Sequence, residues 1–165
     1  YEEGYPHRFI FQVEAQGYIP FLSRRFLSQS GDFGSLTYDV EMQRATVLAG
    51  IVAENRFSLY EYFITDKAGH AQDMELARTI LTSLSLFIRE LLLRIDLERT
   101  TVILTSDHGN IEDLSSRNHT LHAVPTIVWG AQREQVAARI QTLADITPTI
   151  VALLTNTMTN ELSTN

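Results

Sequence analysis

Apolar positions along the chain follow two spacings, one typical of amphipathic helices and one typical of buried strands. Residues 39–55 carry apolar side chains every three or four positions, which predicts a helix with Asp39 as its N-cap. Residues 73–95 repeat this spacing over a longer stretch, and Asp73 stands where an N-cap belongs. The pattern therefore predicts two amphipathic helices before residue 96.

Runs of aromatic and β-branched residues predict three strands, at residues 57–65, 101–106 and 125–130. Residues 132–143 are helical or mixed in character. Residues 145–154 predict a closing helix, because an aspartate opens the segment and a proline stands in the first turn, where its missing N–H costs nothing. Helices and strands therefore alternate along the chain.

This alternation favours an α/β fold with a largely parallel sheet flanked by helices on both faces. Ligands of such sheets bind beyond the carboxyl ends of the strands, where residues 66–70 and 107–108 fall in this assignment. Residues 1–35 show little periodicity and are expected to form a connecting or irregular segment. Residues 36–155 are expected to form the core, and residues 156–165 a polar tail.

Composition narrows the class of protein. The chain has 165 residues, enough for one domain with a sizeable core, and its net charge of −7 argues against sequence-independent binding of nucleic acid. It has no cysteine, so disulfides and thiolate metal sites are excluded, and a cytoplasmic location is expected. No apolar run approaches the ~18–20 residues of a membrane-spanning helix, so we expect no membrane partner.

Aspartates and histidines cluster near the predicted sheet edge, and carboxylate with imidazole suits zinc, manganese or iron better than calcium. The cluster consists of Asp66, His70, Asp107, His108, His119 and His122. Asp66 and His70 are four residues apart and can turn toward one ion. Asp107 and His108 are adjacent, so they serve one ion only on a strained turn, or they reach toward a shared cluster. Each residue taken alone is more typical of a cap or an exposed loop, so the prediction depends on the clustering.

The motifs around these residues resemble those of the alkaline phosphatase superfamily. Residues 105–110 (TSDHGN) follow an apolar strand and resemble its core motif, and residues 65–70 (TDKAGH) resemble its earlier Asp-x-x-Gly-His ligand motif. His119 and Thr120, followed by a Val-Pro strand, resemble its last ligand segment. Residues 143–154 resemble its closing helix. The resemblance is nearest to cofactor-independent phosphoglycerate mutases, with phosphopentomutases next.

The resemblance implies two divalent metal ions, manganese or zinc, that clamp a phosphoryl or sulfuryl group and activate a Ser or Thr nucleophile. Asp66, His70 and His119 would bind the first ion. Asp107 and His108 would bind the second, at a site that this chain leaves incomplete. The fold implied is an incomplete alkaline-phosphatase-like core.

Several further residues are candidates for contact with substrate or for support of the ligands, and a solvated loop position is the alternative for each. They are His122, Asn110, Glu112, Arg117 and Lys67. His119 is preferred to His122 as the ligand because it keeps the family's distance to the Val-Pro pair and to Gly130.

No residue of the chain fits the family's nucleophile or its remaining aspartate, so no catalytic residue is identified. Ser28, Ser30, Ser35 and Thr37 are typical of loop residues, and no buried strand leads to Asp32. We therefore expect the carboxyl-terminal part of a longer enzyme, inactive by itself, whose partners are its missing amino-terminal part and a small phosphorylated substrate. An incomplete sheet would also favour self-association through an exposed edge.

Three functions are consistent with these patterns. The first is a metal-dependent phosphotransferase of phosphoglycerate-mutase type, present as a fragment. The second is a phosphatase, phosphonate hydrolase or sulfatase of the same superfamily. The third is a non-catalytic domain that binds metal or a partner.

Overall fold

The computed structural model describes residues 38–158, and this part of the chain falls into two units. The first unit comprises residues 38–63 and 78–94, and the second comprises residues 64–77 and 95–158. The expectations for the irregular start and for most of the polar tail lie outside the described residues. They remain predictions, as does the interpretation of the hydroxyl groups before residue 38.

The elements alternate less regularly than predicted. In chain order they are helix α1 (Tyr38–Glu54), helix α2 (Ile64–Ala71), helix α3 (Met74–Leu92), strand β1 (Thr101–Leu104), strand β2 (Ile127–Gly130), helix α4 (Arg133–Arg139), a 3₁₀ turn (Leu143–Asp145) and helix α5 (Ile146–Leu154). The two helices predicted from apolar spacing are confirmed as α1 and α3, and the closing helix predicted from its aspartate and proline is confirmed as α5. None of the described helices is long and apolar enough to cross a membrane.

The helix caps follow the prediction in part. Asp73 caps α3, because its carboxylate accepts the backbone N–H groups of Glu75 at 2.9 Å and Leu76 at 3.0 Å. Asp39 is not an N-cap, since α1 already includes Tyr38 and places Asp39 in its first turn. A carboxylate in that position still complements the helix dipole.

The first unit is built on α1 and on most of α3. Apolar residues one turn apart are buried on both helices, such as Leu48 and Ile51 on α1 and Phe87 and Leu91 on α3. A buried polar contact accompanies them, in which the fully buried Glu41 carboxylate accepts the Ser83 hydroxyl at 2.6 Å. The apolar spacing that predicted these helices thus also marks the core of this unit.

The strand predicted at residues 57–65 is wrong. Residues 57–63 form neither helix nor strand, and α2 begins at Ile64. A strand requires a neighbour to satisfy its backbone N–H and C=O groups, and within residues 38–158 only β1 and β2 pair in a sheet. Asp66 therefore lies in the first turn of a helix instead of at the end of a strand.

The sheet of the described residues consists of β1 and β2, and it is antiparallel. Thr101 pairs with Gly130, and Leu104 pairs with Ile127. The largely parallel sheet predicted from the sequence is not shown by these residues. Parallel neighbours need a crossover, usually a helix, that returns the chain to the end at which the first strand began. Residues 105–126, which connect β1 to β2, contain no helix, and the two strands pair antiparallel. The described fold is mixed helix with a small antiparallel sheet.

The end of β2 is fixed by a glycine. Gly130 has a φ of 86°, and a Cβ there would lie 2.0 Å from the carbonyl oxygen of Thr100. The chain then enters α4, whose Val136 is fully buried. A capping box between Thr142 and Asp145 starts the last helical segment. These contacts fix the end of β2 and the start of the helical segments that follow it.

Candidate metal centre

Helix α2 supplies the first two residues of the site. Asp66 lies in its first turn and His70 in its last, so the two side chains are one helical turn apart on the same side. The His70 Nε2 atom is 3.4 Å from Asp66 Oδ2. The predicted convergence of these residues is therefore met, although helical geometry produces it and not the end of a strand.

The turn after β1 supplies the next residue. His108 is 25% exposed and Asp107 is 84% exposed, and the His108 Nε2 atom lies 3.6 Å from Asp107 Oδ1. The Ser106 hydroxyl donates to the His108 carbonyl oxygen at 2.7 Å and so stabilises the turn. The ends of the two adjacent side chains therefore lie close together, with His108 mostly buried and Asp107 facing solvent.

The loop before β2 brings in His119. The backbone N–H of Thr120 donates to the Gly109 carbonyl oxygen at 2.8 Å, which ties this loop to the turn after β1. The rings of His108 and His119 then stack with centroids 3.5 Å apart. The His119 Nε2 atom lies 3.3 Å from Asp66 Oδ1.

These residues form a compact set of metal donors. Ligand atoms of Asp66, His108 and His119 all lie within 4.8 Å of one another, and the ring of His70 is 5.2 Å from that of His119. Among the described residues the Asp66 Oδ1 atom is buried without a hydrogen-bond partner. A buried carboxylate oxygen without a donor, facing imidazole nitrogens, is the environment that a divalent cation satisfies.

Backbone hydrogen bonds orient two of the imidazoles. His70 Nδ1 donates to the Arg117 carbonyl oxygen at 2.5 Å, which leaves the Nε2 lone pair directed toward Asp66. His108 Nδ1 donates to the Gly109 carbonyl oxygen at 3.3 Å, which leaves its Nε2 free in the same way. An imidazole held through Nδ1 by a carbonyl is the usual state of a metal-ligating histidine. The residues present thus fit a divalent metal.

Asp66, His70, His108 and His119 lie in one cluster. The resemblance assigns His108 to a second ion with Asp107, whose Oδ1 atom lies 3.6 Å from His108 Nε2. The Asp107 carboxylate is largely exposed. The assignment of particular ligands to one or two ions therefore remains a prediction.

The supporting candidates lie around this cluster. Asn110 is buried, and its side chain packs so closely on α2 that a Cβ at Gly69 would lie 1.1 Å from Asn110 Oδ1. His122 is exposed, with its Nδ1 atom 3.3 Å from Glu112 Oε1. Arg117 donates through Nε to a side-chain oxygen of α2's neighbour Gln72 at 3.0 Å, and Lys67 is exposed.

Two side-chain hydrogen bonds near the cluster, made by Gln72 and Glu112, are not predicted by the motifs. Gln72 directly follows α2 with a φ of 56°, and its Nε2 donates to the Leu114 carbonyl oxygen at 3.1 Å, joining the helix to the loop. No sequence signal marks this residue. Glu112 accepts the Thr120 hydroxyl, and this hydrogen bond is the main cause that holds the pKa of the Glu112 carboxyl below its usual range.

A model of the Metalloenzyme superfamily matches residues 26–158 of this sequence. The match covers most of the chain, and all the residues of the metal cluster fall inside it. The chain therefore belongs to the Metalloenzyme superfamily.

Among curated proteins, the chain is similar to enzymes named 2,3-bisphosphoglycerate-independent phosphoglycerate mutase. It is 28% identical to that of Dinoroseobacter shibae over 92% of this chain and 32% of the relative. It is 26% identical to that of Ehrlichia canis over 72% of this chain and 26% of the relative. The chain thus spans about a third or less of the curated relatives it matches. No solved structure matches it. The resemblance predicted from the motifs is confirmed.

Proposed function

We propose that this chain carries the metal-binding part of a metal-dependent phosphotransferase of phosphoglycerate-mutase type. The observation that supports the proposal most directly is the cluster of Asp66, His70, His108 and His119 around a buried carboxylate oxygen that lacks a donor. Membership of the Metalloenzyme superfamily and the names of the similar proteins support the same chemistry.

In this proposal the side chains of the cluster hold two divalent ions, manganese or zinc, with Asp66, His70 and His119 at one and Asp107 and His108 at the other. The ions, when bound, supply positive charge that neutralises a phosphoryl group and lowers the pKa of a nucleophilic hydroxyl. The chain's own residues bind the ions and orient the imidazole rings. Asp66 offers its carboxylate, and the Arg117 carbonyl oxygen keeps the Nε2 atom of His70 available.

The proposed nucleophile, a Ser or Thr, and the remaining ligand of the second ion come from a separate segment of the same protein. Ser106, the hydroxyl nearest to the ligand turn in sequence, is engaged in a hydrogen bond to the His108 carbonyl oxygen. The substrate is a small phosphorylated molecule that docks only when both parts are present. The chain by itself is then a metal binder without turnover.

The experiment that tests this function uses the full-length gene product with Mn²⁺ and 3-phosphoglycerate. We expect isomerisation of the phosphoester that is lost on chelation and absent from an Asp66→Asn variant. Release of inorganic phosphate without isomer would instead select a hydrolase of the same superfamily. Absence of any reaction with Mn²⁺, Zn²⁺ or Co²⁺ would overturn the enzymatic proposal.

A second function has its own supporting observation. The Asp107 carboxylate is largely exposed, so within the described residues the second site consists of His108 and one carboxylate that faces solvent. A domain that binds one ion through Asp66 and the clustered histidines, without catalysis, fits this arrangement. Tight binding of one ion by a full-length protein that transforms no phosphoester would select this function.

A further inference from the structure

Two parts of the connection between β1 and β2 must meet for the histidine cluster to form. His108 lies on the turn after β1, and His119 lies 11 positions later on the loop that precedes β2. Their rings stack at 3.5 Å, so a small displacement of either loop changes the distance between the nitrogen donors. One backbone hydrogen bond, from Thr120 to Gly109, joins the loops beside the rings.

A single carboxylate contacts both loops at this point. Glu112 Oε2 accepts the backbone N–H of Asn110 at 2.6 Å, two residues beyond His108. Glu112 Oε1 accepts the hydroxyl of Thr120, the residue that follows His119. The same oxygen lies 3.3 Å from the Nδ1 atom of His122. Each oxygen of Glu112 therefore has a partner on one of the two loops.

The backbone is shaped to admit this carboxylate. A Cβ at Gly109 would lie 2.2 Å from Thr120 Oγ1 and 2.5 Å from Glu112 Oε1. Only glycine leaves room for the Thr120 hydroxyl and the Glu112 carboxylate to meet directly above the turn. The contact between Glu112 and Thr120 thus explains why the third residue of the Asp-His-Gly-Asn motif is a glycine.

We propose that Glu112 is a positioning residue that holds the His119 loop against the His108 turn without binding the metal itself. The inference rests on the proposed metal-binding function. Glu112 is not part of the group of donor atoms that lie within 4.8 Å of one another in the described residues. Its effect on the metal is transmitted through the positions of His108 and His119.

The first test is titration of the full chain with Co²⁺ and with Zn²⁺, in wild type and in Glu112→Ala. Loss of a side chain that supports metal ligands typically weakens metal binding about 10- to 100-fold, and we expect a loss in this range. We also expect the visible spectrum of bound Co²⁺ to change, because the spectrum reports the geometry of the nitrogen donors.

Asp113→Ala is the matched control. Asp113 is the adjacent carboxylate, and its Oδ1 accepts the N–H and the hydroxyl of Ser115 rather than a group on the His119 loop. The variant removes the same charge at a neighbouring position, so it measures how much of the loss of metal affinity comes from the charge alone. We expect its metal affinity to stay within about twofold of wild type. An equal loss in both variants would overturn the inference.

Two further variants separate the hydrogen bond from general damage to the loop. Thr120→Val removes the hydroxyl but keeps the side-chain shape, and we expect it to weaken Co²⁺ binding in the same direction. Because both variants remove one shared hydrogen bond, the double variant with Glu112→Ala should lose little more than Glu112→Ala alone. Fully additive losses would contradict the inference. Glu112→Gln keeps one acceptor oxygen and should restore part of the affinity.

A metal-free readout distinguishes failure of this inference from failure of the proposed function. The imidazole proton resonances of His108 and His119 should carry ring-current shifts from their stacking in the wild-type chain. We expect these shifts to collapse in Glu112→Ala and to persist in Asp113→Ala. If wild type binds no metal, the proposed function fails, and the ring shifts still decide whether Glu112 positions the loops. Unchanged shifts and unchanged metal affinity in Glu112→Ala would overturn the inference.

Discussion

At the scale of single residues, the site depends on which nitrogen of each imidazole is free. The carbonyl oxygen of Arg117 accepts the Nδ1 proton of His70, and the carbonyl oxygen of Gly109 accepts that of His108. Both rings therefore present an Nε2 lone pair, the donor that a divalent ion requires. At His70 and at His108, a backbone carbonyl oxygen thus decides which ring nitrogen is free to bind metal.

The choice between the two histidines of the long loop gives the first prediction. His119→Ala removes an Nε2 atom that lies 3.3 Å from Asp66 Oδ1, so its Zn²⁺ affinity should fall by more than the roughly 10- to 100-fold typical of a supporting residue. His122→Ala is the matched control, because its ring is 60% exposed and contacts Glu112 instead. Isothermal titration of both variants checks this, and a larger loss in His122→Ala would show that the ligand is misassigned.

The second prediction concerns Tyr60 in the first unit. Burial raises its pKa to about 12 from 10.0, and Glu41 acts in the same direction, while Arg44 opposes it. Because the folded-state pKa is raised, the folded state favours the neutral Tyr60 side chain. Its contribution to the free energy of unfolding is fully present below about pH 10 and is lost as pH rises through about 12. The phenolate absorbance of wild type minus that of Tyr60→Phe should show this late ionisation. A difference titration centred at pH 10 would contradict it.

At the scale of elements, α2 is the part of the second unit on which the site depends. It is short, and it presents Asp66 and His70 one turn apart while its Gly69 lies against Asn110. Asn110 belongs to the turn that also carries His108, so the close approach at Gly69 sets the distance between α2 and that turn. The absence of a Cβ at Gly69 therefore allows the turn to pack directly against α2.

Two glycines in helices give the third prediction. A Cβ at Gly69 would lie 1.1 Å from Asn110 Oδ1, so Gly69→Ala should push the turn away from α2 and weaken Zn²⁺ binding by at least about tenfold. At Gly50 of α1 nothing lies within 4 Å of such a Cβ, so Gly50→Ala should raise the free energy of unfolding by up to about 1 kcal/mol. Metal titration and urea unfolding of both variants check the contrast. Equal effects of the two substitutions would refute it.

At the scale of the whole molecule, the chain spans about a third or less of the similar phosphoglycerate mutases. Its described sheet has two strands, and each strand has one edge without a partner in residues 38–158. Ile127 of β2 is 43% exposed, and Leu121 on the preceding loop is fully exposed. Apolar side chains at an open sheet edge favour pairing with another chain.

Self-association is therefore the fourth prediction. The sedimentation coefficient of the chain should rise with protein concentration, and Ile127→Lys should reduce that rise because a charge at a strand edge discourages pairing. Val151→Lys is the matched control, since Val151 is 52% exposed on α5 and lies on no strand. A concentration-independent coefficient for wild type would contradict the prediction, and so would an equal effect of the two lysines.

The sequence by itself was sufficient for helices α1, α3 and α5 and for the chemical identity of the donors, but it did not predict α2. Apolar spacing and helix-start signals are local properties, so α1 and α3 were predictable from the first and α5 from the second. The Asp-His motifs named Asp66, His70, His108 and His119. It was not sufficient for the segment at residues 57–65, whose β propensity finds no partner strand in the described part of the chain.

Only the tertiary structure decided how the donors meet. The antiparallel pairing of β1 with β2, the stacking of His108 on His119 and the burial of Asn110 against Gly69 all join residues far apart in sequence. Such contacts depend on loop paths and close packing, which no local pattern encodes. The sequence determined which groups can bind metal, and the tertiary contacts decided which of them share one cluster.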